Sequence, residues 1–513
     1  MQILLENASL FVHAFAAIAF GALAAPRALN GALELRSLCV WFSVVPIVIF
    51  ANDPLYIVLC FLVLLALLTP ASALDRIMFF ILIVPAAPGY IESNLPVPGI
   101  NYFFDLDHYK AAVLAALLPT FLMRRGARDE YVPWSIVDTC VAAYVVYTSL
   151  QMGLHFGFNG GARFALEQVF LIVLPYFAIR RVVASAKDVR DVFSAFIVAA
   201  VILAAIALLS SFRNWDFYRF DQGDGLSLFS DYRDGSLRVQ ATLNTHSLAF
   251  VLVLALLLLQ YVKQYVAMSW IRLWGLRGLL LAAAMTPGSR GALAGFAVGA
   301  VVYLVLSVKA AWLRWTMICG FVVGGAIGGY ILMFGDVAKF DAHGSFAYRQ
   351  MLIDTSFKYI ADYPFFGDLQ FLQSGRFDHL VQGQGIVDVT NLYLQVLLKH
   401  GSIGGLLFFG PILLVITQLS FRAMYLARNG GSDRHEMRGA CIAICAGFVG
   451  WLLLIATTSD VGLTMHLGLF LLAIGEGIRL KRRTWFANRK VAFTTAIPDV
   501  EFIKKLKPSP AQA

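Results

Sequence analysis

Three arginines set beside long apolar runs carry the chemistry that this sequence suggests. Arg290 lies in the loop TPGSRGALAG, Arg349 leads FAYRQMLIDTSFKYIADYPFFGD, and Arg238 stands ahead of Asn244 in LRVQATLNT. A guanidinium at the edge of a bilayer is costly unless an anion meets it. It stays charged at every pH that matters and can hold a phosphate through two parallel hydrogen bonds. A further stretch, VDVTNLYLQVLLKHGSIGG, places Asp388, Asn391, Tyr393 and His400 around a short apolar segment that ends in a glycine-rich turn. The expected chemistry is recognition of an anion at a membrane face.

The local pattern says how each arginine would be held. Pro287 and Gly288 break one helix, and Gly291 permits close backbone approach as the next begins. Arg290 then falls in the first turn of a helix, whose N-terminus is electropositive, so dipole and guanidinium together make an anion site. The alternative is an arginine that snorkels to an ordinary boundary. Segment 345–361 reads as an amphipathic helix ending at Tyr363–Pro364. At 100° per residue, Phe346, Leu352, Ile353, Phe357 and Ile360 share one arc with Arg349 in its middle, and Gln350, Asp354 and Lys358 lie opposite. A charge inside that stripe demands a partner, either a buried carboxylate or a phosphate lying against the helix. The helix is too polar to span and is expected along the interface. Loop 212–245 mixes Arg213, Arg219, Arg233 and Arg238 with aspartates and aromatic rings. Such a mixture suits sugar binding or a solvated loop with internal ion pairs. His246, at the start of the next run, reads as either functional or structural.

The elements that must position these groups are membrane helices. The chain has 513 residues, 59% hydrophobic and 14% charged, well below the charge of soluble domains. About fifteen apolar runs of near-spanning length follow one another, predicting an all-α polytopic bundle of about 12–15 spans. Alternate loops are rich in Lys and Arg, as cytoplasmic loops are, and the tail adds Arg479, Lys481, Arg482, Arg483, Arg489 and Lys490. The tail is therefore expected in the cytoplasm. The two long loops, with Arg238, Arg290 and Arg349, are expected outward, in the periplasm of a Gram-negative envelope. The division reads 1–211 N-terminal helices, 212–245 outward loop, 246–334 central helices, 335–402 large outward loop, 403–480 C-terminal helices and 481–513 basic tail. The net charge of +9 is sorted by membrane side and gives no sign of nucleic-acid binding. Cys39, Cys60, Cys140, Cys319, Cys441 and Cys445 lie within or beside apolar runs and form no metal-ligand spacing. No metal, cofactor or disulfide is expected.

Taken in order, R-x5-N at 238–244, SRG at 289–291, the arginine-led helix ending YPFFG at 363–367 and an asparagine-led segment with GxxGG at 401–405 resemble the O-antigen ligase and Wzy-type polymerase superfamily, over roughly 230–480. That resemblance implies glycan transfer by a metal-independent glycosyltransferase whose donor is an undecaprenyl-diphosphate-linked sugar. Arg290 and Arg349 would hold the diphosphate and neutralise its charge as the bond breaks. Arg238 would be a third donor, with Asn244, Asn391, Tyr393 and His400 around the substrate. Ligases of the family carry a histidine directly before the asparagine, whereas Thr390 precedes Asn391 here. Asp388 replaces it as the candidate general base, with His379 and His400 as substitutes by proximity in sequence. The departure favours a polymerase of an exopolysaccharide, capsule or O-antigen repeat unit in the inner membrane, beside a flippase and a chain-length regulator. The alternatives are an O-antigen ligase acting on lipid A core, and a lipid-linked oligosaccharide flippase. For a flippase, Ser459, Asp460 and His466 could be a coupling group; otherwise they close the outward mouth.

Overall fold

A computed structural model describes residues 2–495 apart from 28, 51–52, 90, 98–99, 124–132, 216–231, 234, 311, 322–344, 382–384, 429–431 and 460–461. Most of loop 212–245, the start of loop 335–402, Asp460 and the end of the tail therefore lie outside the described residues.

The apolar runs fold as helices, because a backbone in hydrocarbon must satisfy its own polar groups. Seven described helices are long and apolar enough to cross a membrane: Gly31–Val48, Ile136–Val182, Ala186–Arg213, Thr245–Val262, Arg290–Ser307, Leu392–Ala427 and Arg434–Ile455. Shorter apolar helices cover Phe11–Ala24, Pro54–Leu68 and His108–Leu122. Two runs counted separately in the sequence are joined in Ile136–Val182 through a break at Gly157, where φ is +77°. The described part is an all-α polytopic bundle with two small antiparallel hairpins. One hairpin pairs Glu92–Val97 with Ile100–Asp107, and the other pairs Tyr232–Arg233 with Ser236–Leu237.

Helices Ala186–Arg213 and Thr245–Val262 form the centre of the bundle, buried along most of their lengths. Ser185 and Asp188 close a reciprocal capping box at the start of the first. Asn244 caps the second by accepting from the Ser247 N–H at 2.7 Å. The SRG helix, Arg290–Ser307, packs on helix Ser432–Ile455 through paired small residues. A Cβ added at Gly295 would lie 2.6 Å from the Gly450 carbonyl oxygen. Such close approach is how helices associate where lipid offers no hydrophobic contrast, and it fixes where Arg290 emerges.

Helix Ser345–Asp362 forms where the periodicity predicted it and stops before Tyr363–Pro364. Its packed face differs from the expected arc. Leu352, Ser356 and Tyr359 are buried, and Leu352 and Tyr359 join Phe371, Phe377, Leu380, Leu394 and Leu398 in a small outer core. Arg349, Ile353 and Phe357 are exposed. Arg349 therefore sits beside apolar side chains on an open face, and is not buried in the stripe. In a membrane protein an apolar arc can face lipid as well as core, so its width did not identify the packed side.

Candidate functional site

The SRG turn is built so that the first turn of its helix remains open. Ser289 occupies the N-cap position of helix Arg290–Ser307 but makes no side-chain cap. Its hydroxyl meets His246 Nδ1 at 3.2 Å instead. The first N–H groups of a helix need partners from outside it, so this end can take an anion. Arg290 opens the helix, is exposed, and has no ion-pair partner among the described residues.

Arg238 lies across the same turn. Its Nε donates to the Pro287 carbonyl at 3.2 Å, and the Val239 N–H donates to the Thr286 carbonyl at 3.3 Å. The structure thus brings together two of the three arginines singled out in the sequence.

The third joins through a strip that the sequence underrated, Thr457–Ser459. A Cβ on Gly291 would collide with Thr457 Oγ1, at 2.0 Å. Next along the chain, the Thr458 carbonyl accepts from the Leu392 N–H at 3.1 Å. The Ser459 hydroxyl hydrogen-bonds the Asp388 carboxyl, which also feels the charge of Arg349. Burial raises the Asp388 carboxyl above its usual range, while Ser459 and Arg349 pull it back. Tyr348 Oη donates to the Asp388 carbonyl at 2.8 Å, tying the arginine-led helix to this segment. From Thr457 to Ser459 an extended backbone covers about 7 Å. The SRG turn and Asp388, whose carboxyl feels the charge of Arg349, are therefore neighbours. Gly462, just beyond, packs against Asn244. In sequence this strip is a short run of hydroxyl residues between two apolar spans, a signal that does not reveal what it touches.

The YPFFG and GxxGG motifs also meet. Gly401 has φ +61°, a region open to glycine at no steric cost, and its backbone lies against the Phe365 carbonyl. The Ser402 N–H donates to the Pro364 carbonyl at 2.9 Å and the Asp368 N–H to the Leu398 carbonyl at 2.7 Å.

Other candidate residues turn out to make structural contacts. Asn391 Oδ1 accepts from the N–H groups of Tyr393 and Leu394 at 2.9 and 3.2 Å, starting the next helix. Tyr393 Oη donates to the Leu452 carbonyl at 2.9 Å, and its ring stacks on Phe409. His400 is buried with Nδ1 2.6 Å from Gln151 Oε1, while Tyr147 Oη donates to its carbonyl at 2.8 Å. His379 lies beside Thr355 on the outer helix, at 3.3 Å. Of the three base candidates, Asp388 is the one whose carboxyl meets the Thr457–Ser459 strip and feels the charge of Arg349.

Residues 275–409 match the Wzy_C family, described as O-antigen ligase. The match runs from the helix before the SRG turn, through the arginine-led helix, to the end of the GxxGG turn, and over this stretch it bears out the resemblance read from the sequence. Arg238, Asn244 and the Thr457–Ser459 strip lie outside it. No curated protein matches the chain.

Proposed function

We propose that the protein is a membrane glycosyltransferase that polymerises undecaprenyl-diphosphate-linked repeat units of an exopolysaccharide, capsule or O-antigen at the periplasmic face of the inner membrane. One observation carries the reading. The open N-terminus headed by Arg290 and the Asp388 carboxyl are held together by the same strip, Thr457–Ser459, with Tyr348 tying the arginine-led helix to it. An anion grip thus adjoins a carboxylate.

In the proposed reaction, Arg290, Arg349 and the N–H groups of the SRG helix hold the diphosphate, with Arg238 bracing the turn. The bond from the anomeric carbon to the phosphate oxygen breaks, and the electron pair leaves with undecaprenyl diphosphate. The acceptor hydroxyl bonds to that carbon and gives its proton to Asp388. Charge grows on the leaving group, where fixed cations help most. Metal independence is part of the proposal, as is partnership with a flippase and a chain-length regulator. The ligase alternative has the matched family, described as O-antigen ligase, behind it. Thr390 in place of the family's histidine favours the polymerase.

The test is extension of lipid-linked repeat units by purified protein. Arg290→Ala and Arg349→Ala should each lower the rate about 10²–10³-fold while the protein still inserts. Normal chain length in either variant would refute the arginine role. Failure of wild-type protein to extend anything would point to a transporter. In a deletion strain, single repeat units on the carrier lipid indicate a polymerase, and full-length chains a ligase.

A further inference from the structure

The 238–246 segment also borders a cavity. Arg238 and His246 contact residues of the SRG turn, Pro287 and Ser289, whereas Gln240 and Asn244 line a cavity of about 360 Å³. Its opposite wall is Glu92, Asp107 and His108, at the hairpin and the helix that follows, and His466 lines it together with the apolar Leu171, Leu243 and Leu463. The segment is fastened to this wall by backbone. The Gly89 N–H donates to the Thr242 carbonyl at 3.1 Å, and Thr242 Oγ1 donates to the Pro85 carbonyl.

His108 is the telling residue. It is only 6% exposed, and neither ring nitrogen has a hydrogen-bond partner among the described residues. Buried polar groups in native proteins are almost always satisfied, so an orphaned imidazole in the wall of a cavity points to a polar occupant there.

We propose that this cavity takes a neutral sugar unit of the lipid-linked glycan, beside the arginines that hold its diphosphate; the proposal rests on the glycosyltransferase reading. The chemistry of the wall decides among the three parts of such a lipid. A prenyl tail would leave imidazole, amide and carboxylate groups unsatisfied. The diphosphate would meet the carboxylates of Glu92 and Asp107. Burial raises the Glu92 carboxyl above its usual range, with Asp105 and Asp107 adding to the shift and Lys110 opposing it. A sugar offers hydroxyls that donate to carboxylates and accept from amides. Lys110 keeps the hairpin carboxylates in place, 3.3 Å from Asp105 and 3.2 Å from Asp107. Gln240 lies two residues from Arg238, which braces the turn that Arg290 opens, so the cavity and the anion site share one segment.

The test uses full-length protein in lipid nanodiscs and two probes: undecaprenyl diphosphate alone, and the same lipid bearing the repeat unit purified from the host. His108→Phe should bind the glycan-bearing lipid about tenfold more weakly and the bare lipid within about twofold of wild type. Its thermal midpoint should stay level or rise, because the lost nitrogens had no protein partners. A merely structural histidine would lower the midpoint and leave the two probes alike. Glu92→Gln, made without change of shape, should give the same split and serves if His108→Phe fails to fold. Wild-type affinity of both variants for the glycan-bearing lipid would overturn the proposal, as would equal weakening toward both probes. If wild type binds the two lipids equally, the cavity assignment falls while the diphosphate grip stands. If it binds neither, the glycosyltransferase reading falls as well.

Discussion

The two ends of helix Arg290–Ser307 treat arginine in opposite ways. At its C-terminal end, Arg438 is buried and its Nη2 donates to the carbonyls of Leu306 and Ser307 at 2.9 and 2.7 Å. About 27 Å away, by the rise of 18 residues, Arg290 stands exposed ahead of an uncapped first turn. The same division recurs across the bundle. Arg180 holds Asp138 at 2.7 Å, Arg190 holds Glu436 at 3.2 Å, and Arg181 donates to the carbonyls of Phe121 and Met123. Arginines at one end finish the fold. Arg290 and Arg349 at the other leave charge available, where a structural role would have consumed it.

Three substitutions sharpen this contrast. The largest effect is expected for Arg180→Ala. It leaves the fully buried Asp138 with hydrogen bonds from Tyr176 and the Ser135 N–H but no cation. Unfolding in detergent should show a loss of about 3–5 kcal/mol, against little change for Arg290→Ala, whose loss falls on turnover. Equal destabilisation by both would erase the distinction. Arg438→Met should cost about 1.5–3 kcal/mol through two charge-assisted bonds to helix-end carbonyls, again read by unfolding, with residual turnover per folded molecule unchanged. The smallest effect concerns pH. The Ser459 hydroxyl favours the Asp388 carboxylate, so Ser459→Ala raises that carboxyl further. A base that must be ionised is then lost at higher pH. The acid limb of kcat/KM should move upward by less than about one unit, and Asp388→Asn should abolish it. An unmoved limb in Ser459→Ala would remove Asp388 from the base role.

Much of the architecture was legible because hydrocarbon allows few solutions. Long apolar runs became helices, Tyr363–Pro364 ended the arginine-led helix, and SRG opened another. The packed face of helix Ser345–Asp362 was not legible, since Ile353 and Phe357 are as apolar as Leu352 yet lie exposed. The contacts of Asn391 and Tyr393 were hidden for a different reason. Neither a helix cap nor a hydroxyl bonded to the Leu452 carbonyl leaves a mark in the sequence that separates it from other polar contacts. The hairpin wall was missed altogether: Lys110 reaches Asp105 and Asp107 nearby, but also Glu167 at 3.7 Å, a pairing no local pattern announces.

The Thr457–Ser459 strip lies far along the chain from the stretch that matches a known family, yet Gly291, Leu392 and Asp388 all rest on it. A chimera that transplants residues 275–409 into another scaffold would arrive without the surface that aligns its parts. Exchange of specificity between such proteins therefore requires the two regions to travel together.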